Sequence, residues 1–437
     1  MLRKLLPIAL GFLLVFLPAC GNHPIPPSDK ETLVLAIFED NARVSEQVTL
    51  FNENNDDYNI VVKRYIRTPH EIESDGIATL QREIMSGKGP DIIDYGSLYN
   101  AGDIAGGYTE DLLDWFDSTA DFAAEDFYAN IMESYKYQGA LYAMPVSFRL
   151  KTLVGTQDNL GSVNHWTVEG MMACYEQYAD DKILYPGETK LDVLGRILSG
   201  SMGYYIDWET GICRFDSEEF KQVMMFSDRF PAHFMPDDDF SAKRIFLDDG
   251  ALLYPLILSN IYDIRRSEII FGDADIAYIG FPVTGINGTM IMSYGPMLSI
   301  SIGSSHKEAA WAFIRQFLGD EYQDGIDDEL PIRRDALEKM LLDSRDVEYD
   351  GAGEIIARSV VMFEGEDDAY IYHLPEQQAD ALRDLIENAE LNASVDYKLY
   401  QLLMEEAAGY LMGNKSLEET VDVMQGRASI YVNEKIK

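Results

Sequence analysis

Three short runs near the start of the chain constrain its fold more than any other feature: "TLVLAIF" (32–38), "YNIVVKRYI" (58–66) and "DIIDYG" (91–96). The first is continuously apolar, as a strand covered on both faces of a parallel sheet must be. The second is rich in β-branched and aromatic residues. Between them, Val44, Val48 and Phe51, then Ile77, Leu80 and Ile84, recur at helical spacing. Gly87 and Gly89 stop the second helix, and Pro90 prevents a restart. Strand, helix, strand, helix, strand predicts a parallel sheet with crossover helices. Ligands of such sheets bind outside the carboxyl ends of the strands. Asp40, Asp94 and Tyr95 lie at those ends and become candidates for ligand contact. Asp40 or Asn41 equally suits the N-cap of the next helix.

Ahead of this unit, Arg3 and Lys4 precede an uncharged run, 5–19. It is shorter than the ~20 residues of a membrane-spanning helix. Its basic, apolar, small-residue order is that of a secretory signal peptide, 1–19. Leu17-Pro18-Ala19-Cys20 resembles a bacterial lipobox, which implies acyl chains (palmitate among them) on Cys20. Each buried CH₂ contributes about 0.8 kcal/mol, and a stable anchor needs more than one chain. The alternative is an ordinary signal peptide with Cys20 incidental. Residues 20–30, with Pro24, Pro26 and Pro27, read as a semi-extended tether. The expected location is the outer face of the cell membrane.

Asp and Glu total 75 against 35 Lys and Arg, a net charge of −40. Phosphate-rich partners are repelled, so nucleic acid is not expected, and a neutral or cationic ligand is. Cys174 and Cys213 are too far apart in sequence to form a disulfide framework, and whether they pair stays open. The six histidines are scattered, so neither a zinc site nor any other cofactor is expected.

After "QGALYAMPVSF" (138–148) the pattern restarts. Thr167 suits the N-cap of a helix holding Met171, Met172 and Tyr175. "ALLYPLILSN" (251–260) reads as another buried strand, interrupted by Pro255, and "PMLSISIG" (296–303) as a strand leading into "HKEAAWAFIRQFL". Trp311 falls on that helix's apolar side, so it reads as core, as does Trp115; Trp166, just before the cap, reads as structural. The tail from Pro375 is mostly helical.

Several stretches together resemble the extracellular solute-binding proteins (family 1, oligosaccharide-binding type) of bacterial ABC importers. They are "LQREIMSGKGPDIID", "AGGYTEDLLDWF", "GALYAMP", "GSVNHWT", "IGFPVTG", "HKEAAWAFIRQFLGDEYQ" and the closing "EEAAGYLMGNKSLEETVDVMQGRASIYVNEK". The resemblance implies an α/β, two-lobe, periplasmic-binding-protein-like fold, with a ligand cleft between lobes joined by a multi-crossing hinge. Crossings are placed near 146–150, 283–296 and 343–353. The N-terminal lobe would take 31–147 and 285–345; the C-terminal lobe would take 148–284 and 346–437. The implied partners are a small solute, a sugar first among them, and permease subunits served by a separate ATPase. A monomer is expected.

Tyr and Trp stack on the C–H faces of sugars, while Asp, Glu and Asn accept their hydroxyl protons. Candidates in the second lobe or hinge are therefore Tyr204, Trp208, Asn260 and Tyr294. Each has a second reading: Tyr204 and Trp208 packing under a loop, Asn260 shaping a turn, Tyr294 serving the hinge. Two departures weaken the carbohydrate assignment. Ser259-Asn260-Ile261 stands where sugar binders often carry Gly-x-Trp, and Val154-Gly155 replaces a common Tyr-Asn. A peptide or another polar solute is the alternative ligand; a sensor or adhesin is the alternative use of the fold.

No enzyme signature emerges. A retaining glycosidase needs two carboxyls about 5–5.5 Å apart, and no pair carries a recognisable motif. "SGKGPD" lacks the Lys-Ser/Thr of a phosphate loop. "DEYQDGIDDELP" places Tyr322 and Pro331 where a calcium loop needs oxygen ligands.

Overall fold

The computed structural model describes residues 30–436, apart from 67–72, 99–106, 162–165, 236–240, 249, 273–274, 294, 363–367 and 393–395. Helices of eight or more residues are numbered. Leu33, Leu35, Ala36 and Ile37 are buried, which suits β1 (Glu31–Ile37) to the middle of a sheet. It runs parallel to β2 (Tyr58–Arg64) and β3 (Ile92–Asp94). The crossovers are α1 (Ala42–Asn54) and α2 (Glu73–Met85). Asn41, of the two residues open for the role, caps α1: its Oδ1 accepts from the backbone N–H of Arg43 (2.9 Å) and Val44 (3.3 Å). Val44, Val48 and Phe51 form the buried stripe. β4 (Met144–Pro145) and β11 (Met297–Ile300) complete the sheet, in the order β2-β1-β3-β11-β4.

The second sheet is built on β5 (Ser147–Thr156). Antiparallel to it lie β8 (Tyr254–Leu258), β9 (Ile276–Tyr278), β10 (Met290–Met292) and β12 (Leu330–Pro331). β17 (Leu391–Asn392) pairs with β10. β8 is not the strand buried on both faces that its composition suggested. It pairs only with β5 and leaves Ile257 47% exposed, an edge position where Pro255 loses no ladder bond. Three small ribbons decorate the body: β6 (Ile206–Asp207) with β7 (Ile212–Cys213), β13 (Glu348–Tyr349) with β14 (Ile355–Ile356), and β15 (Ser359–Val361) with β16 (Ala369–Ile371).

Each sheet has its own core, and the two together make a two-lobe α/β fold. The first core takes α7 (Lys307–Ile314) and α8 (Arg334–Asp343). Trp311 is buried there and donates Nε1–H to Thr119 Oγ1 at 2.9 Å, while Trp115 packs on its edge. The second core gathers α3 (Val168–Glu176), α4 (Lys190–Ser201) and α5 (Glu218–Ser227). Thr167 caps α3, accepting from Gly170 N–H at 3.1 Å, and Trp166 is buried beside it. Cys174 and Cys213 are both free thiols.

The chain passes between the sheets at Val146, between β4 and β5, and again between β10 and β11. Leu150, Leu258 and Ile291 of the second sheet are buried in the first core, so the lobes share a packed junction. The expectation that 346–437 belongs wholly to the second lobe does not hold for one helix. α9 (Glu376–Glu387) instead buries Ala379, Leu382 and Ile386 in the first core. Asn130 holds its end there, donating to the carbonyls of Ile386 (2.7 Å) and Ala389 (2.8 Å). Beyond it, Leu391 of β17, α10 (Tyr397–Leu411) and α11 (Leu417–Lys435) pack on the second core.

Candidate functional site

The carboxyl ends of β1 and β3 come together at one edge of the first sheet. Tyr95 is buried there and stacks on Phe38, with ring centroids 6.1 Å apart. Asp94 is buried too. Its Oδ1 accepts from Gly96 N–H and Met297 N–H, each at 3.0 Å, and so ties β3 to the start of β11. Burial, reinforced by the charge of Glu39, pushes its carboxyl up to about 6. Asp40 faces solvent, with 61% of its side chain exposed, and pairs with Arg64 at the end of β2. Of the three, only Asp40 presents its carboxylate to water.

A strip of charge runs from this edge to the junction. Arg43, in the first turn of α1, donates to Asp327 Oδ1 at 2.9 Å and also bonds Asp328. A cation is unfavourable at a helix N-terminus, so the acidic pair compensates for its position. The next residue, Glu329, is buried and accepts from Ser147 Oγ–H. Arg149 Nη2 lies 3.6 Å from its other oxygen. Burial pushes the Glu329 carboxyl up, while Ser147 and Arg149 act against that. Ser147, Arg149 and Lys151 project from one face of β5 by strand alternation. Gly295 closes against them: a Cβ there would sit 2.4 Å from Ser147 Oγ and 2.9 Å from Glu329 Oε2.

Beside this strip lies a cavity of about 400 Å³. One wall is Asn260–Tyr262, following β8 of the second sheet; the others are the 324–327 turn, α8, and Arg358 and Ser359 of the β15 ribbon. Asp324, Asp327 and Asp343 line it against Lys339 and Arg358. Asn260 shapes its wall: its Oδ1 accepts from Tyr262 N–H at 3.0 Å, and its own N–H donates to Asp263 Oδ2 at 3.0 Å. Both readings of Asn260, turn and cavity wall, therefore hold at once. The lining offers carboxylate and amide acceptors, two cations and the apolar sides of Ile261, Tyr262, Ile326 and Met340, a set suited to a small polar solute.

Tyr204 and Trp208 do not reach this cavity. Tyr204 is exposed on the second lobe beneath the Arg214 guanidinium, 5.4 Å from its ring centre. Trp208 lies in the turn joining β6 and β7, half-buried on the second core. Tyr294 and Cys20 lie outside the described residues. Sequence reasoning missed Arg43, Ser147, Arg149, Glu329 and Arg358. Polar residues at every second position of the otherwise apolar "SFRLKTLVG" were the available signal for two of them. Within "DEYQDGIDDELP", Asp320 pairs with Arg333, Asp324 with Lys339, Asp327 and Asp328 with Arg43, and Glu329 accepts from Ser147. Among the described residues no cluster of His, Cys, Asp and Glu is suited to a metal ion, and no helix is long and apolar enough to cross a membrane.

No family model and no curated protein matches the sequence. Solved structures match the fold over almost the whole chain. The sugar-binding protein MalE from Xanthomonas citri aligns at 15% identity and a TM-score of 0.57, covering 92% of this chain and 98% of its own. A periplasmic oligogalacturonide-binding protein from Yersinia enterocolitica aligns at 12% identity and 0.59, covering 93% and 100%. The ABC substrate-binding protein Lmo0181 from Listeria monocytogenes, in complex with cycloalternan, aligns at 16% and 0.53, covering 93% and 99%. Two further matches are described as de novo designed esterases.

Proposed function

We propose that this chain is an extracytoplasmic solute-binding lipoprotein. It holds a small polar solute, an oligosaccharide first among them, between its two lobes and delivers it to the permease of an ABC importer. The observation that carries the reading is the cavity at the lobe junction, walled by Asn260–Tyr262, which follow β8 of the second sheet and pack through Ile261 and Tyr262 in the first core, and by the 324–327 turn and α8. A ligand held at this junction and reaching the second lobe would favour the closed arrangement by its contacts with both lobes. The sugar-binding neighbours support the solute class. The lipobox-like segment at Cys20 supports an acyl anchor, which would hold the binder near its permease and raise its effective concentration there. The lobes we propose are 31–147 with 285–345, and 148–284 with 346–437, except that β10 goes with the second sheet and α9 with the first core. Asn260 and Arg358, in the cavity lining, are our contact residues; Asp40 and Arg43, which lie outside that lining, would meet only a solute that extends along the charged strip, and Tyr294 is retained on sequence grounds. No catalytic step is assigned.

A second reading, a peptide or cationic solute, is favoured by three cavity carboxylates against two cations and by the missing tryptophan after β8. A thermal-shift screen against neutral oligosaccharides, acidic oligosaccharides, peptides and polyamines separates the two. A ligand bound only by the folded chain raises Tm according to its affinity. Shifts from an oligosaccharide series, weakened by Asn260→Ala, are the expected result. Shifts confined to peptides or polyamines would establish the second reading; cleavage of the added oligosaccharide would overturn both.

A further inference from the structure

The β15–β16 ribbon presents two unlike faces. Val361 and Ile371 are 4% and 3% exposed, on the face held against α6 (Asp263–Phe271), where Arg266 Nη2 donates to Ser359 Oγ at 2.7 Å. The alternate residues point outward: Val360 is 38% exposed, Tyr370 52% and Tyr372 39%. Tyr370 and Tyr372 lie two residues apart, with ring centroids 6.3 Å apart and planes inclined by 30°. The register sets Val360 opposite Tyr370 and Ser359 opposite Ile371, and Arg358 N–H donates to the Ile371 carbonyl at 2.7 Å, at the end of the ribbon that holds Tyr372. Arg358 and Ser359 also line the cavity. The ribbon that borders the cavity therefore carries two half-exposed aromatic rings on its outward face.

We propose that Tyr370 and Tyr372 form a second carbohydrate subsite, a stacking platform that receives the sugar units of a chain extending out of the cavity. Exposed rings keep an apolar face and a hydroxyl, which matches the C–H face and hydroxyl rim of a pyranose. Val360, Met362, Tyr370 and Tyr372 are too few to hold a stable protein interface, which needs about 800 Å² and 20–30 residues per partner. They are enough to cover one or two sugar rings. The platform makes the preferred ligand an oligosaccharide longer than the cavity itself can enclose. This rests on the sugar-binding reading above.

The test is calorimetric titration of the full chain with oligosaccharides of two to seven units from neutral and uronic-acid series. The variants are Tyr370→Ala/Tyr372→Ala, Tyr370→Phe/Tyr372→Phe and Asn260→Ala. In the series that binds, wild-type affinity should rise with chain length. The double alanine variant should lose about tenfold on the longest member, a difference of 1.4 kcal/mol, and nothing on the shortest. The double phenylalanine variant should restore most of the loss, and Asn260→Ala should weaken short and long chains alike. Equal binding of long chains by wild type and the double alanine variant would overturn the platform while leaving the cavity reading intact. So would a change in sedimentation coefficient without a change in sugar affinity, which would mark the face as a protein contact. Failure of every series to bind wild type would overturn both readings.

Discussion

Asp94 is a site residue whose chemistry the fold displaces. Its carboxyl is raised to about 6 by burial, from an ordinary value near 4. Glu188, in the second lobe, is raised to about 7 by burial despite its pairing with Arg196. A carboxyl raised on folding binds more protons in the folded chain than in the unfolded one between the two values. Stability contributed by such a group is complete at the acid end and declines as pH rises through the folded value. The decline belongs between about pH 4 and 6 for Asp94, and continues to about 7 through Glu188. Asp94→Asn keeps an oxygen to accept from Gly96 and Met297 and removes the buried charge. It should stabilise the chain at pH 7 by on the order of 1–3 kcal/mol and flatten the pH slope below 6. Denaturant midpoints at pH 4.5 and pH 7 measure both. A variant less stable than wild type at pH 7 would mean the charge itself is needed there.

The elements differ in how openly the sequence announced them. β1, α1 and β3 were legible because periodicity and burial agree: Val44, Val48 and Phe51 are both the predicted stripe and the observed one. Phe51 meets Phe313 of α7 edge-on at 5.7 Å. Phe51→Ala should therefore cost about 3–5 kcal/mol, and Asn41→Ala about 1 kcal/mol through loss of the α1 cap, both read from urea midpoints. β8 was misread because a short apolar run looks alike in a central and an edge strand; only its pairing decides. α9 was misplaced because its stripe shows that a face is buried, not which core buries it. The junction was the least legible part. Ser147 and Arg149, Gly295, and Glu329 come from three distant parts of the sequence, and contact alone makes them a unit. Ser147→Ala leaves the buried Glu329 one donor short. It should cost about 1–3 kcal/mol at pH 8 and raise the Glu329 carboxyl further, so that the loss shrinks as pH falls. A loss that is the same at pH 5 and pH 8 would assign the effect to packing.

Across the whole molecule the charge is lopsided. Seventy-five acids face 35 Lys and Arg, and the net charge of −40 acts on one folded body. Many of the cations are spent in exposed pairs such as Arg64 with Asp40 and Arg345 with Glu376. Pairs of this kind contribute about 0–1 kcal/mol each, and every cation paired still leaves an excess of carboxylates repelling one another. Salt weakens both effects, so the direction of the response tells which is larger. Raising the salt from about 10 mM to about 150 mM shortens the screening length from about 30 Å to about 8 Å. That distance lies between the spacing of acids across a lobe and the few ångströms within a pair. Repulsion is therefore screened more than pairing, and Tm should rise with added sodium chloride by several degrees before levelling off. The same screening lowers the cost of bringing two acidic lobes together, so the affinity for a neutral solute should strengthen over the same range. A polyamine would respond oppositely, because its own attraction to the carboxylates is screened. Titrating one neutral oligosaccharide and one polyamine at both salt concentrations, beside a melting curve at each, reads all three slopes. A Tm that falls with salt would show that ion pairs, not repulsion, dominate the electrostatics of the folded chain.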